Sequence, residues 1–116
     1  MTPVIVLDRQ GRFVAALGSP GGGAILAYNL KTLVGVLDWK LSIQQAVALP
    51  NLIANGERFN GETDKFGPEL VKALGDLGMA ITPGRGEDSG LHGVTARDGA
   101  LQGGADPRRE GVVLTD

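Results

Sequence analysis

The sequence lacks cysteine altogether, which excludes disulfide bonds, thiolate catalysis and Cys-ligated zinc or iron–sulfur sites. It also lacks a basic excess: 11 Lys and Arg against 13 Asp and Glu give a formal charge of -2, without a basic stripe that would predict nucleic-acid binding. No run of 18 apolar residues occurs, and the first ten residues lack the features of a signal peptide. We therefore expect neither a membrane span nor an export signal.

Glycine is abundant instead, at 19 of 116 residues, more than twice its usual share. Aromatic residues make up only 4 %, whereas a hydrophobic content of 42 % is too high for a disordered chain. The length is typical of one domain, so residues 1–116 are expected to form a single folding unit. Glycines in such a unit serve turns and close approaches of the backbone.

The N-terminal third predicts a β-hairpin, a glycine loop and a long helix. Residues 3–8 and 12–17 are apolar, β-branched runs around a turn, and residues 24–39 contain no Pro and one Gly. On a helical wheel the following residues share one face, opposite Lys31 and Asp38: Ile25, Leu26, Leu30, Leu33, Val36 and Leu37. Asn29 lies within this apolar arc and should be hydrogen-bonded, because an unpaired buried amide is costly.

The rest of the chain predicts an α+β fold. Ser42 and Gln45 form a capping-box pattern for a short helix that ends at Pro50, and Pro68 and Gly78 delimit another helix. Asp98-Gly99 predicts a type I′ hairpin turn. The strand candidates are residues 52–54, 57–59, 79–82, 91–97 and 100–105.

The loop GSPGGG at residues 18–23 is the strongest candidate site. Successive glycines can adopt positive φ and present N–H groups to a ligand beside a helix N-terminus, which favours an anion or an oxyanion. It matches a nucleotide site poorly, because no Lys-Ser/Thr pair follows and the spacing is not GxGxxG. A glycine turn that serves packing alone remains an alternative.

Two other clusters have less specific patterns. Residues 87–92, EDSGLH, contain two carboxylates, Ser89 and the only histidine, His92, so a Ser–His pair or a metal site is conceivable. Local hydrogen bonds are the more ordinary interpretation. Arg108 and Arg109 near Asp106 either clamp a carboxylate or form ion pairs within a charged turn, and the second interpretation is again the more ordinary one.

The order of these elements, with GSPGG and ADPRREG as anchors, resembles the C-terminal part of the small subunit of γ-glutamyltransferases. These enzymes, also called γ-glutamyltranspeptidases, are N-terminal-nucleophile hydrolases. The resemblance runs from residue 1 to residue 111. It implies a partial αββα layer fold and an enzyme that transfers γ-glutamyl groups, from glutathione or a related amide, to water or an amine.

The resemblance also implies roles for individual residues. In the family an N-terminal Thr, released by self-cleavage, forms an acyl-enzyme, and two glycine amides of the PGG loop stabilise the oxyanion. The matching residues here are Gly21 and Gly22, while Pro20 and Gly23 are candidate substrate contacts in the same loop. No metal or other cofactor is implied. Thr2 matches the start of the family's TP-x-IV strand and not the nucleophile.

This match predicts that the chain lacks the nucleophile and is inactive alone. Its expected partners are the γ-glutamyl substrate, the remainder of the small subunit and the large subunit, and the isolated chain is expected to self-associate through uncovered sheet surface. Periplasmic or extracellular location is implied by the resemblance. The alternative is a stand-alone, non-enzymatic domain that binds an anion or a partner, and a phosphate or nucleotide binder is a weaker third hypothesis.

Overall fold

A computed structural model describes residues 2–84 and 89–114, and the predicted N-terminal hairpin is present in it. Strand β1 (Val4–Leu7) pairs antiparallel with β2 (Phe13–Gly18). Asp8 holds the turn between them, since its Oδ1 accepts hydrogen bonds from the backbone N–H of Gln10 and of Arg12, each at 2.9 Å. Strand β2 leads directly into the glycine loop.

The hairpin belongs to a four-stranded antiparallel sheet with the order β1-β2-β6-β7. Strands β6 (His92–Arg97) and β7 (Ala100–Ala105) are joined by the predicted turn. Asp98 and Gly99 have φ of 52° and 78°, the positive values that a type I′ turn requires. The prediction from this dipeptide is therefore confirmed.

Two helices cover one face of this sheet: α1 (Ile25–Leu37) and α2 (Ile43–Ala48). The capping box at the start of α2 is confirmed, because Gln45 N–H donates to Ser42 Oγ and Ser42 N–H donates to Gln45 Oε1. Glycines at positions 93 and 104 let the sheet approach Ile43 closely. The buried cluster between the layers comprises Leu17, Tyr28, Val36, Ile43, Ala46, Val47 and Leu91.

The buried face of α1 differs from the prediction. Leu26 and Leu30 are 72 % and 63 % exposed, and the buried residues are Ile25, Tyr28, Asn29, Thr32, Gly35 and Val36. The helix is rotated because its contact with α2 depends on small residues: a Cβ at Gly35 would lie 3.0 Å from Ala46 Cβ. Asn29 is hydrogen-bonded, as predicted, through Nδ2 to the carbonyl of Thr2 at 2.8 Å.

A second, three-stranded sheet has the order β3-β4-β5. Strands β3 (Leu52–Asn55) and β4 (Arg58–Gly61) form a hairpin, and β5 (Ile81–Pro83) runs parallel to β4. The connection passes through α3 (Thr63–Phe66), which the sequence did not predict, and α4 (Pro68–Asp76), which it did. The parallel pair requires such a crossover. The structure is thus α+β, with two sheets and helices.

Candidate active site

The glycine loop connects the end of β2 to α1 through a 3₁₀ turn over Gly22–Ala24. Gly21 has φ of 135° and Gly22 of 54°, so the positive φ values expected here are present at both residues. A Cβ atom at Gly21 would lie 2.6 Å from Cε2 of Tyr28, so both the backbone and the available space require glycine there. Gly23 has open space around its Cα and lacks this constraint.

The N–H groups of the glycine loop differ in their surroundings, since Gly21 is buried and Gly22 is exposed. Gly21 uses its carbonyl to accept the N–H of Ala24 at 3.0 Å, which starts the 3₁₀ turn. No hydrogen bond between the described residues uses the N–H of Gly21 or Gly22 as its donor. Two adjacent free donors beside the start of a helix form an arrangement that can bind an oxygen atom carrying negative charge.

A buried serine hydroxyl connects the glycine loop to the neighbouring segment by hydrogen bonds. Ser19 is 1 % exposed, and its Oγ donates to the carbonyl of Pro20 at 2.7 Å. The same Oγ accepts the backbone N–H of Gly90 at 3.0 Å. Gly90 is tightly packed, since a Cβ there would lie 2.9 Å from Pro20 Cγ. Ser19 was not among the residues predicted to form the site, although it lies within the GSPGGG motif.

Asp106 holds the segment that carries Gly90. Its Oδ2 accepts the Ser89 hydroxyl at 2.5 Å and the N–H of Leu91 at 3.1 Å, while its Oδ1 accepts Arg108 Nη1 at 2.9 Å. Burial alone would raise the pKa of Asp106, but the hydrogen bonds from Ser89 and Arg108 outweigh it and lower the pKa. The Asp106 carboxylate is therefore negatively charged, and it binds the residues on both sides of Gly90, whose N–H donates to Ser19 in the glycine loop.

Arg108 extends this network to the second sheet. It is 7 % exposed and donates to both oxygens of Glu62, from Nε at 2.8 Å and from Nη2 at 2.5 Å. Burial opposes ionisation of Glu62, but hydrogen bonds from Arg108, Lys65 and the N–H of Asn51 outweigh it and lower the pKa to about 2. Arg108 thus forms internal ion pairs, as the more ordinary interpretation held.

Lys31 completes the network at the C-terminal end of α2. Its Nζ donates to the carbonyls of Val47 and Leu49 and to Asn51 Oδ1, at 3.2, 2.5 and 2.7 Å. Desolvation, followed by repulsion from Arg108, lowers the pKa of Lys31 to about 8. Asn51 in turn donates from Nδ2 to Ser89 Oγ at 2.9 Å. Neither Glu62 nor Asn51 was identified from sequence, because their partners are distant in the chain.

A cavity of about 370 Å³ adjoins the loop on the side of Pro20. Its lining residues are Pro3, Gly18, Pro20, Gly90, His92, Arg109 and Glu110.

The second candidate cluster from the sequence does not form a Ser–His pair. The hydroxyl of Ser89 donates to Asp106, and Nδ1 of His92 lies 3.0 Å from the carbonyl of Gly90. Glu87 and Asp88 lie outside the described residues. Within residues 2–84 and 89–114, no three His, Asp or Glu side chains come together as a group able to hold a metal ion. In the same part of the chain, no helix has the length and apolar character needed to cross a bilayer.

The chain matches, over residues 1–115, the family described as Gamma-glutamyltranspeptidase. Among curated relatives, the Acylase ACY 1 proenzyme of Pseudomonas sp. (strain SE83) is 31 % identical over 116 residues, covering 98 % of this chain and 20 % of the relative. The Glutathione hydrolase proenzyme of Escherichia coli (strain K12) is 28 % identical over 109 residues, covering 93 % and 19 %. The chain therefore spans about a fifth of these relatives.

Solved structures agree with this match at the level of the fold. A highly active mutant of Gamma-glutamyltranspeptidase from Pseudomonas nitroreducens has a TM-score of 0.85 at 24 % identity, covering all of this chain and 61 % of that chain. The transpeptidase enzyme CapD from Bacillus anthracis has a TM-score of 0.77 at 20 % identity, covering all of this chain and 70 % of that chain. They confirm the fold class that the resemblance implied, part of an N-terminal-nucleophile hydrolase fold.

Proposed function

This chain belongs to the gamma-glutamyltranspeptidase family, and from that premise we propose that it supplies the oxyanion-stabilising part of an enzyme that transfers or hydrolyses γ-glutamyl groups. The donors are the N–H groups of Gly21 and Gly22. The observation that supports this role is their conformation: both residues have positive φ, and neither N–H donates to another described residue. Pro20 and Gly23 are proposed as substrate contacts in the same loop.

The chemistry explains why such donors matter. When a Thr hydroxyl attacks the γ-carbonyl of a glutathione-type amide, the carbonyl oxygen gains negative charge in the tetrahedral intermediate. Donors already fixed around that oxygen stabilise the charge without reorganising, and loss of one donor typically lowers the rate about 10²–10³-fold. The amine then leaves, and water or an acceptor amine attacks the acyl-enzyme.

The Thr nucleophile is proposed to lie in a segment outside residues 1–116. The resemblance matches Thr2 to the start of the family's TP-x-IV motif and not to a cleavage junction, and in the structure Thr2 precedes β1 and its carbonyl accepts a hydrogen bond from Asn29. The remainder of the small subunit and the large subunit would be the partners of this chain, outside the cytoplasm. Purified residues 1–116 should therefore not turn over γ-glutamyl-p-nitroanilide, and measurable turnover by this chain alone would contradict the assignment.

Replacement of Gly22 by Ala tests the oxyanion role in the enzyme that contains both this segment and the nucleophile. The added methyl disfavours φ of 54° and crowds the carbonyl oxygen, so kcat should fall at least about tenfold, a change of about 1.4 kcal/mol in the barrier. Gly56→Ala is the matched control, because Gly56 has φ of 62° and open surroundings in the β3–β4 turn. Similar kcat values for the two variants would refute the role.

A further inference from the structure

We propose that Ser19 is a positioning residue that aims the Gly21 N–H into the oxyanion site by holding the Pro20 carbonyl in the opposite direction. This inference rests on the proposed function, since it assigns a cause to the orientation of one of the two donors. Ser19 itself contacts no substrate, being 1 % exposed.

The peptide unit between Pro20 and Gly21 has a fixed geometry. The carbonyl of Pro20 and the N–H of Gly21 belong to the same planar trans peptide, so they point in opposite directions. Ser19 Oγ lies 2.7 Å from the Pro20 carbonyl oxygen and donates to it. Because the two groups are antiparallel, the Gly21 N–H points away from the Ser19 hydroxyl.

Without this hydrogen bond, the peptide unit has little resistance to rotation. A flip changes ψ of residue 20 and φ of residue 21, and glycine adopts positive and negative φ about equally well. Gly21 therefore permits the orientation that catalysis needs and also permits its reverse. The hydrogen bond from the Ser19 hydroxyl to the Pro20 carbonyl distinguishes the two orientations, and a hydrogen bond of ordinary strength favours the productive one several-fold.

The Ser19 hydroxyl is itself positioned by hydrogen bonds from a neighbouring segment. It accepts the N–H of Gly90 at 3.0 Å, which leaves its single proton directed at Pro20. The residues on either side of Gly90 are both bound by Asp106, through the Ser89 hydroxyl and the Leu91 N–H. A chain of hydrogen bonds thus runs from the ADPRREG motif to the GSPGG motif, and it ends at the peptide that carries the first oxyanion donor.

Steady-state kinetics of the enzyme that contains this segment and the nucleophile test the proposal, with rates normalised to the self-cleaved form. Ser19→Ala should lower kcat for γ-glutamyl-p-nitroanilide about threefold to tenfold and leave KM within about twofold of the wild-type value, because the productive orientation becomes several-fold less favoured and the donor acts on the transition state. Ser19→Thr, which retains the hydroxyl, should recover most of the lost kcat. Ser42→Ala, which removes the helix cap of α2 away from the loop, controls for a general loss of stability.

The outcomes separate this inference from the function on which it rests. If Gly22→Ala lowers kcat but Ser19→Ala leaves it at the wild-type value, Ser19 has no positioning role and the oxyanion assignment stands. If neither variant changes kcat, the oxyanion assignment itself fails. Should Ser19→Ala not fold, Ser19→Cys keeps a similar volume with a much weaker donor, and wild-type kcat in that variant overturns the inference.

Discussion

At the scale of single residues, the pair Arg108–Glu62 links two parts of the chain that are 46 positions apart. Arg108 also binds Asp106 and donates to the carbonyls of Val47 and Leu49, so its guanidinium joins the start of α3, the C-terminal end of α2 and the loop that follows β7. A buried ion pair does not guarantee a net gain in stability, but removal of one partner leaves the other charge without compensation. Neutralisation of Glu62 therefore tests whether this ion pair stabilises the folded chain.

We expect Glu62→Gln to lower the free energy of unfolding at pH 7 by about 2 kcal/mol. This is less than the loss expected for a fully buried ion pair, because the Glu62 carboxylate is partly exposed. The pKa of Glu62 is depressed to about 2, so its contribution is complete above about pH 4.5 and is lost as the pH falls toward 2. Urea unfolding at several pH values should show that the free energy of unfolding falls less between pH 4.5 and 2 in the variant than in the wild type. Some decrease remains in the variant because Asp106 still becomes protonated in acid.

The exposed pair Lys72–Asp76 supplies the control for this measurement. Asp76→Asn removes an ion pair of similar length, 2.7 Å, in which both side chains are largely exposed, and its effect should stay below about 1 kcal/mol. If the stability of Glu62→Gln and of the wild type declined in parallel between pH 4.5 and 2, the ion pair would not contribute in the way described.

At the scale of helices and strands, sequence patterns predicted turns, caps and helix ends that depend on residues close together in the chain. The Asp98-Gly99 turn, the Ser42–Gln45 box and the limits set by Pro68 and Gly78 depend on backbone conformation within a few residues. The buried face of α1 was predicted only in part: Ile25 and Val36 are buried, but hydrophobicity alone also pointed to Leu26 and Leu30, which are exposed. Close contact of Gly35 with α2 decided the rotation, and only tertiary structure reveals that contact.

The same Gly→Leu substitution at two helical positions tests the contact between α1 and α2. Gly35→Leu should destabilise the protein by about 2 kcal/mol or more, because a Cβ alone would lie 3.0 Å from Ala46 Cβ and 3.3 Å from Leu49 Cδ1. Gly75→Leu in α4 meets no atom within 4 Å and should be neutral or stabilising by up to about 1 kcal/mol through helix propensity. Thermal unfolding compares them, and equal shifts in Tm would contradict the packing argument.

At the scale of the whole molecule, the candidate site was only partly predictable. The positive φ of Gly21 and Gly22 follows from a local glycine pattern, and the family resemblance assigned their role. The support of the loop did not follow from sequence, since Ser19 and Gly90 are 71 positions apart in the chain and Asn51 and Ser89 are 38 positions apart. Long-range hydrogen bonds of this kind leave no periodic trace in a single sequence.

The sheet face opposite α1 and α2 is apolar and largely exposed. Directly opposite residues of antiparallel strands project to the same side, which places Ile5, Ala16 and Val94 in one row and Leu101 beside it. Ile5 and Leu101 are 71 % and 70 % exposed, and Val113 covers part of the face at Gly103. In an αββα arrangement a second sheet layer would lie here. An exposed apolar face of this kind favours association.

Residues 1–116 alone should therefore form oligomers whose fraction rises with concentration in sedimentation velocity. Ile5→Lys combined with Leu101→Lys should shift the population toward monomer, because two charges on the face oppose its burial against another copy. Leu77→Lys is the control, since Leu77 is 80 % exposed just after α4, away from this sheet. A wild-type chain that stays monomeric at high concentration, or a control that dissociates the oligomer as effectively as the double variant, would show that this face does not drive assembly.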